Sequence, residues 1–260
     1  MTIMKSYVLF FALMFVGVCG FAQKSIRDSA ITMGHLSIVY SANLPAGNLG
    51  KRFGFSNQIG GEGGLKLASN FYFTSGLKFF FGGEVKEAVA ANVVQLIGSD
   101  SAGYQTMALG ADGRFYTVRY FLRGMIIPFT VGKIFPLNKQ NLNSGIYLEL
   151  GGQFIQHKIA IQAIGDNVPY LSKPYLKGYD RLTNGFGLVQ GFGYRYYGNN
   201  RFTNFFFFFY FSQNFTRSRR DYNFDTGVKD DAQRLDLLFG LKAGWTFPIY
   251  KSAPEKEYYY

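Results

Sequence analysis

Residues 234–250 read RLDLLFGLKAGWTFPIY, and every second position is apolar: Leu235, Leu237, Phe239, Leu241, Ala243, Trp245, Phe247 and Ile249. Between them stand Arg234, Asp236, Leu238, Gly240, Lys242, Gly244, Thr246, Pro248 and Tyr250. A period of two held over this length puts one face of a strand in an apolar medium and the other among small, polar or charged groups. That is the pattern of a strand crossing a membrane in a closed barrel, where the usual soluble interior is inverted. Trp245 and Phe247, near the end, are placed at headgroup level, which favours amphipathic rings.

The other segments follow the same rule. Strands are expected at about 32–42, 55–68, 71–81, 117–133, 145–157, 185–197, 201–215 and 234–250. The run of five phenylalanines at 205–209 resolves by parity: Phe205, Phe207, Phe209, Phe211 and Phe215 face out, with Asn204, Tyr210, Ser212 and Asn214 facing in. Connections alternate long and short. Asn43 to Gly54, Gly82 to Tyr116, Lys158 to Asn184 and Thr216 to Gln233 are long; Ser69-Asn70, Pro136 to Ser144 and Gly198 to Asn200 are short. Within the second long connection, Val85, Val89, Val93, Leu96 and Ile97 fall at spacings of three to four, which predicts a short amphipathic helix over 84–97. Asp112-Gly113 marks a small hairpin turn beyond it. The expected fold is all-β: an eight-stranded antiparallel up-and-down transmembrane β-barrel with long extracellular loops, one carrying a short helix, and short periplasmic turns.

The ends add compartment. Met1 to Lys5, the apolar run Tyr7 to Val18 and the small residues of Gly20-Phe21-Ala22 compose a signal peptide over 1–22, with cleavage after Ala22. Residues 23–31 form a periplasmic lead-in, 32–250 the barrel, and 251–260 a periplasmic tail. Cys19 in a lipoprotein site would need a small residue before it, and Val18 is not small. After cleavage the mature chain has no cysteine, which removes disulfides and thiol chemistry. No later apolar run reaches the roughly 20 residues of a membrane helix. The net charge of +11 finds its counterpart in lipid phosphates rather than nucleic acid, given export and a lipid-facing pattern.

Parity sends Glu62, Lys66, Lys78, Arg119, Arg123, Glu149, Arg195, Asp236 and Lys242 into the lumen. Eight strands enclose a space that side chains just fill, so these charges must compensate one another. The expectation is a plugged interior held by salt bridges, with an ion or proton path as the alternative. His35 is placed near the periplasmic start of the first strand and His157 near the outer rim. His157 suits lipid chemistry by position, but Ser212 or Ser218 would reach it only through folding, and a nucleophile needs its base in contact. In the loops, Gly178 to Thr183 and Arg217 to Asp225 combine Arg, Asp and aromatic residues. Mutual pairing that stiffens the rim is one reading; recognition of lipopolysaccharide phosphates or of a protein partner by Arg181, Arg219 and Arg220 is the other. The sequence carries no metal-ligand cluster and no nucleotide motif, and no cofactor is expected. The glycine-rich stretch Gly60 to Gly64 lies within a strand and precedes no helix, which excludes a dinucleotide loop.

Phe21-Ala22-Gln23, the segment Gly178-Tyr179-Asp180-Arg181-Leu182-Thr183, Arg219-Arg220-Asp221, and Pro248-Ile249-Tyr250 followed by a tyrosine tail resemble an uncharacterised outer-membrane barrel family of the Bacteroidota. More broadly, the chain resembles the small outer-membrane barrels grouped with OmpX, OmpA and OmpW. The resemblance covers nearly the whole mature chain. It implies residence in the outer membrane and assembly by a machinery that reads a final aromatic strand, with Phe247 and Tyr250, or alternatively Tyr260, as the signal. Three roles remain open: a non-catalytic protein, structural or an accessory subunit of an envelope complex; a lipid A-modifying enzyme; and a narrow channel for small apolar molecules.

Overall fold

The computed structural model describes residues 30–100, 103–165, 168–198 and 202–249. The expected signal peptide, most of the expected lead-in, Tyr250 and the expected tail fall outside the described residues. Ten strands form one antiparallel sheet: β1 Met33–Ala46, β2 Ser56–Lys66, β3 Phe71–Gly82, β4 Val94–Asp100, β5 Gly103–Leu109, β6 Phe115–Pro136, β7 Gly145–Ala163, β8 Thr183–Tyr197, β9 Asn204–Ser218 and β10 Gln233–Ile249. Eight of them close a ring. Strand β1 pairs with both β2 and β10, and β3 pairs with β6, so no edge is left among β1–β3 and β6–β10. Closure satisfies every backbone ladder, the condition for a sheet to stand in hydrocarbon. Strands β4 and β5 form a hairpin hung on the upper part of β6.

The tight turns gather at the end of the barrel that holds Met33 and Ile249. Leu67 donates its N–H to the Phe71 carbonyl, with Asn70 at φ +64° in the left-handed region that Asn tolerates. The long connections gather at the other end. There the loop expected over 43–54 is instead a continuation of β1 followed by helix α1, Gly47–Arg52. The loop expected over 158–184 holds six further residues of β7, a 3₁₀ turn at Pro169–Leu171 and helix α2, Lys173–Tyr179.

The helix predicted over 84–97 is absent. Residues 84–93 are irregular, with Ala90 at φ +57°, and β4 begins at Val94. Its apolar positions are mostly β-branched, which disfavours helix, and Val89 and Val94 are used singly, packed into a core beneath the cap. The turn at Asp112-Gly113 does form, with Gly110 and Arg114 bonded across it.

Alternation holds on β1, β2, β3 and β7–β10. Leu36, Phe79, Leu150, Phe186, Phe209 and Phe239 face outward and are exposed. Strand β6 corrects the sequence reading: Val118, Leu122 and Ile126 are buried within the barrel, and Arg119 and Arg123 are exposed on its outer surface. Strand β6 runs 22 residues, longer than a bilayer crossing requires. Its upper third stands above the apolar belt, where the exterior is the polar side.

Glycine on the inner face makes room for large lumenal groups. A Cβ at Gly132 would overlap the Tyr147 phenol, and one at Gly240 would overlap the Tyr210 ring.

Candidate functional site

The lumen is the one region where most of the predicted charges meet, and it is stratified. Near the turn end, Lys66 donates from Nζ to the Ile31 carbonyl at 3.1 Å and pairs with no carboxylate among the described residues. His35 contacts Thr74 Oγ1 at 3.3 Å. Tyr72 donates to Tyr197 Oη at 2.7 Å. Arg195 is 2% exposed and pairs with no carboxylate among the described residues. It lies between rings instead, its guanidinium 4.8, 4.7 and 4.4 Å from the centroids of Tyr72, Tyr147 and Phe206. A planar, weakly hydrated cation suits such a cage better than an ammonium would.

Above this ring four charges from four strands converge. Glu62 on β2 accepts from Lys78 on β3 at 3.0 Å and from Lys242 on β10 at 3.1 Å, and Lys242 also donates to Glu149 on β7 at 3.2 Å. All four side chains are 5% exposed or less. Two cations and two anions cancel, and each buried ion has at least one partner, which offsets the several kcal/mol that desolvating each costs. The tetrad spans the barrel from β2 to β7 and obstructs it.

The next layer is neutral and hydrogen-bonded. Gln58 donates to Tyr210 Oη at 2.7 Å, Tyr210 bonds Asn43, and Gln153 donates to Asn214 Oδ1 at 2.8 Å. Above it, Asp236 Oδ2 meets His157 Nε2 at 3.0 Å and accepts from Thr216 Oγ1 at 2.6 Å. This pair has the base and orienting carboxylate of a hydrolytic triad. The third member is missing: Ser212 Oγ is bonded by Asn214 Nδ2, and His157 Nδ1 has no hydrogen-bond partner among the described residues. His157 is fully buried, with the Phe53 ring set edge-on against it.

Over that layer the lumen turns apolar. Leu49 and Phe53 of the α1 segment, Phe80, Leu122, Ile126, Ile155, Ile159 and Leu238 form a core continuous with Val89, Val94, Leu171 and Tyr179 of the outer connections. Ion pairs tie those connections into a cap. Arg52 bonds Glu87 at 2.8 Å and Thr183 at 3.2 Å; Glu87 also pairs with Arg181, which reaches Asp225 at 2.8 Å. Arg220 binds both oxygens of Asp180, and that carboxylate holds its guanidinium above the usual range. Burial outweighs Glu87 at Arg52 and pushes its guanidinium down.

Of the nine predicted lumenal charges, four form the tetrad and Lys66, Arg195 and Asp236 are buried separately. Arg119 and Arg123 are outside. Among the loop candidates, Arg181 and Arg220 are engaged with internal carboxylates, whereas Arg219 is exposed and bonded to Asn184. Phe247 packs on Trp245 at 4.3 Å, and the Trp245 indole donates to the Phe202 carbonyl at 2.6 Å. The Arg195 cage and the role of Arg52 went unread in the sequence. The inward glycines flanking Tyr147 on β7 and preceding Arg195 on β8 were the available signal for the cage; nothing local marked Arg52.

No protein-family model and no curated relative matches the chain. Among solved structures it is similar to Neisserial surface protein A, at 12% identity and a TM-score of 0.41, over 82% of this chain and 96% of that one. It is also similar to Ail, the attachment invasion locus protein of Yersinia pestis, in complex with the heparin analogue sucrose octasulfate, at 11% identity and 0.40, over 84% and 99%. A third is the outer membrane protein OprG from Pseudomonas aeruginosa, at 9% identity and 0.35, over 86% and 99%.

Proposed function

We propose that the chain is an integral protein of the cell outer membrane, non-catalytic, with a sealed lumen, acting as a structural element or as an accessory subunit of an envelope complex through its outer cap and lipid-facing wall. The observation that carries this is the stratified interior. Aromatic cage, charge tetrad, hydrogen-bonded layer and apolar core follow one another with side chains in contact across the barrel, and the connections are ion-paired over the top. An aqueous path would need a gap between layers; a lipid-modifying site would need His157 within reach of substrate. The partners this reading implies are outer-leaflet lipid including lipopolysaccharide, the barrel-assembly machinery, and other envelope proteins.

Two measurements test it. Folded protein reconstituted in planar bilayers should give no steady ion conductance, and a reproducible channel would overturn the sealed reading. Isolation from outer membranes in mild detergent should bring down companion envelope proteins, and a clean monomer would remove the subunit role.

A further inference from the structure

The two arginines that the structure places outside carry a second conclusion. On the outward face of β6 the apolar row runs Phe135, Val131, Phe129, Ile127 and Met125, interrupted only by Lys133, whose ammonium lies over the Phe71 and Phe135 rings at 4.6 and 5.6 Å. The ten rises from Phe135 to Met125, at ~3.4 Å per residue and a tilt of ~40°, span about 26 Å, the height of the belt a bilayer needs. Arg123 is the next outward residue and Arg119 the one two further along. On β7 the matching row ends at Phe154, and after Gln156 comes Lys158, whose Cα stands directly opposite Arg123 in the register. Two cations facing each other across an antiparallel pair repel.

Among the described residues a single carboxylate comes near them, and it is shared. Among the described residues Arg119 has no ion-pair partner, and Arg123 donates only to the Leu122 carbonyl and stacks on Phe121 at 4.9 Å. Lys158 approaches Asp180 at 3.9 Å, but that carboxylate is held by Nε and Nη2 of Arg220. Elsewhere on the rim the arrangement differs: Arg217, just above the apolar row of β9, meets Asp231 at 3.2 Å. We propose that Arg119, Arg123 and Lys158 form a docking face for the phosphate groups of a phosphorylated outer-leaflet lipid, the anion supplying the charge that the protein omits. Arginine is suited to grip a phosphate with two parallel donors, and the position at the top of the belt matches a lipid headgroup rather than a solute. This inference rests on the membrane placement proposed above.

The test uses the full folded chain in nanodiscs of phosphatidylcholine doped with diphosphoryl lipid A, with lipid retained on the protein read by native mass spectrometry. Wild type should retain lipid A, and the triple variant Arg119→Gln, Arg123→Gln, Lys158→Gln should lose it by on the order of tenfold or more. Arg217→Gln, as a rim control, should lose much less. The triple variant should keep the heat-modifiable mobility of a folded barrel, which separates lost binding from misfolding. Equal retention by wild type and triple variant, equal retention of lipid A stripped of its phosphates, or full displacement by excess inorganic phosphate would overturn the docking face while leaving membrane insertion intact. Failure of wild type to enter nanodiscs would overturn both.

Discussion

The lower and upper halves of this barrel obey opposite rules on one continuous sheet. In the lower half Phe209 and Leu241 face outward and Glu62, Lys242 and Arg195 face in. In the upper half Leu122, Ile155 and Ile159 face in, and Arg123, Lys158 and Arg217 face out. The pleat does not change between them; strands β6 and β7 pass through both with unbroken register. What changes is the surrounding medium, from hydrocarbon to water, and each half presents to it the side chains that medium solvates. The polarity of a strand face is therefore local to a depth, and a strand longer than the membrane is thick must be read in two pieces.

Three tests would break or sharpen that contrast. The largest effect belongs to the lower lumen. Lys242→Met removes the cation shared by Glu62 and Glu149 and should cost about 3–5 kcal/mol, read as a lowered urea midpoint for loss of the heat-modifiable species. Adding Glu149→Gln should recover part of it, because Glu62 still has Lys78. If Lys242→Met were neutral, the tetrad would not be structural.

The second sets an inward apolar residue against an outward one. Leu122→Ala in the upper core should cost about 3 kcal/mol through an unfilled cavity. Phe209→Leu on the lower wall, where lipid chains can refill the space, should stay within about 1 kcal/mol. Equal costs in the same unfolding assay would contradict the inversion between halves.

This inversion also explains what the sequence disclosed. The outer rows of β8, β9 and β10 were legible because hydrocarbon demands an apolar side chain at nearly every outward position, so parity alone sorted even the phenylalanine run. Glu62, Lys78, Glu149 and Lys242 were legible as lumenal for the same reason. Arg119 and Arg123 were placed on the wrong side because the lipid-facing rule was carried past the end of the lipid. The apolar stretch around Met125 to Val131, with alternation lost on both faces, was the mark of the crossing. The cap was legible only in part: mutual pairing of Arg and Asp in the outer loops is one of the two readings the sequence offers, and Arg220 with Asp180 and Arg181 with Asp225 fulfil it, but Arg52 and Glu87 carry no local sign of their place in it. Arg52, Glu87, Arg181 and Asp225 come from four separate segments, and their pairing depends on a closed barrel that first brings those segments to one rim.

The smallest effect belongs to that cap. Arg181→Ala deletes a cation bridging Glu87 and Asp225 and should leave the urea midpoint of the barrel nearly unchanged, while raising amide exchange and protease cleavage over 84–93 and 219–228. A local cost of about 1–2 kcal/mol is expected. A drop in the midpoint matching that of Leu122→Ala would mean that cap and barrel unfold as one unit.

The seam between β1 and β10 joins Gly34 to Ile249 and Ala46 to Leu237, so the first wall segment to emerge waits for the last. Until then two ribbons of unsatisfied backbone amides flank an unfinished sheet, and such a sheet cannot rest in hydrocarbon. Contacts this distant along the chain make closure slow and leave a sticky precursor. That exposure ends only when β10 meets β1, so the completed wall, rather than any single contact, is what finally shields those amides.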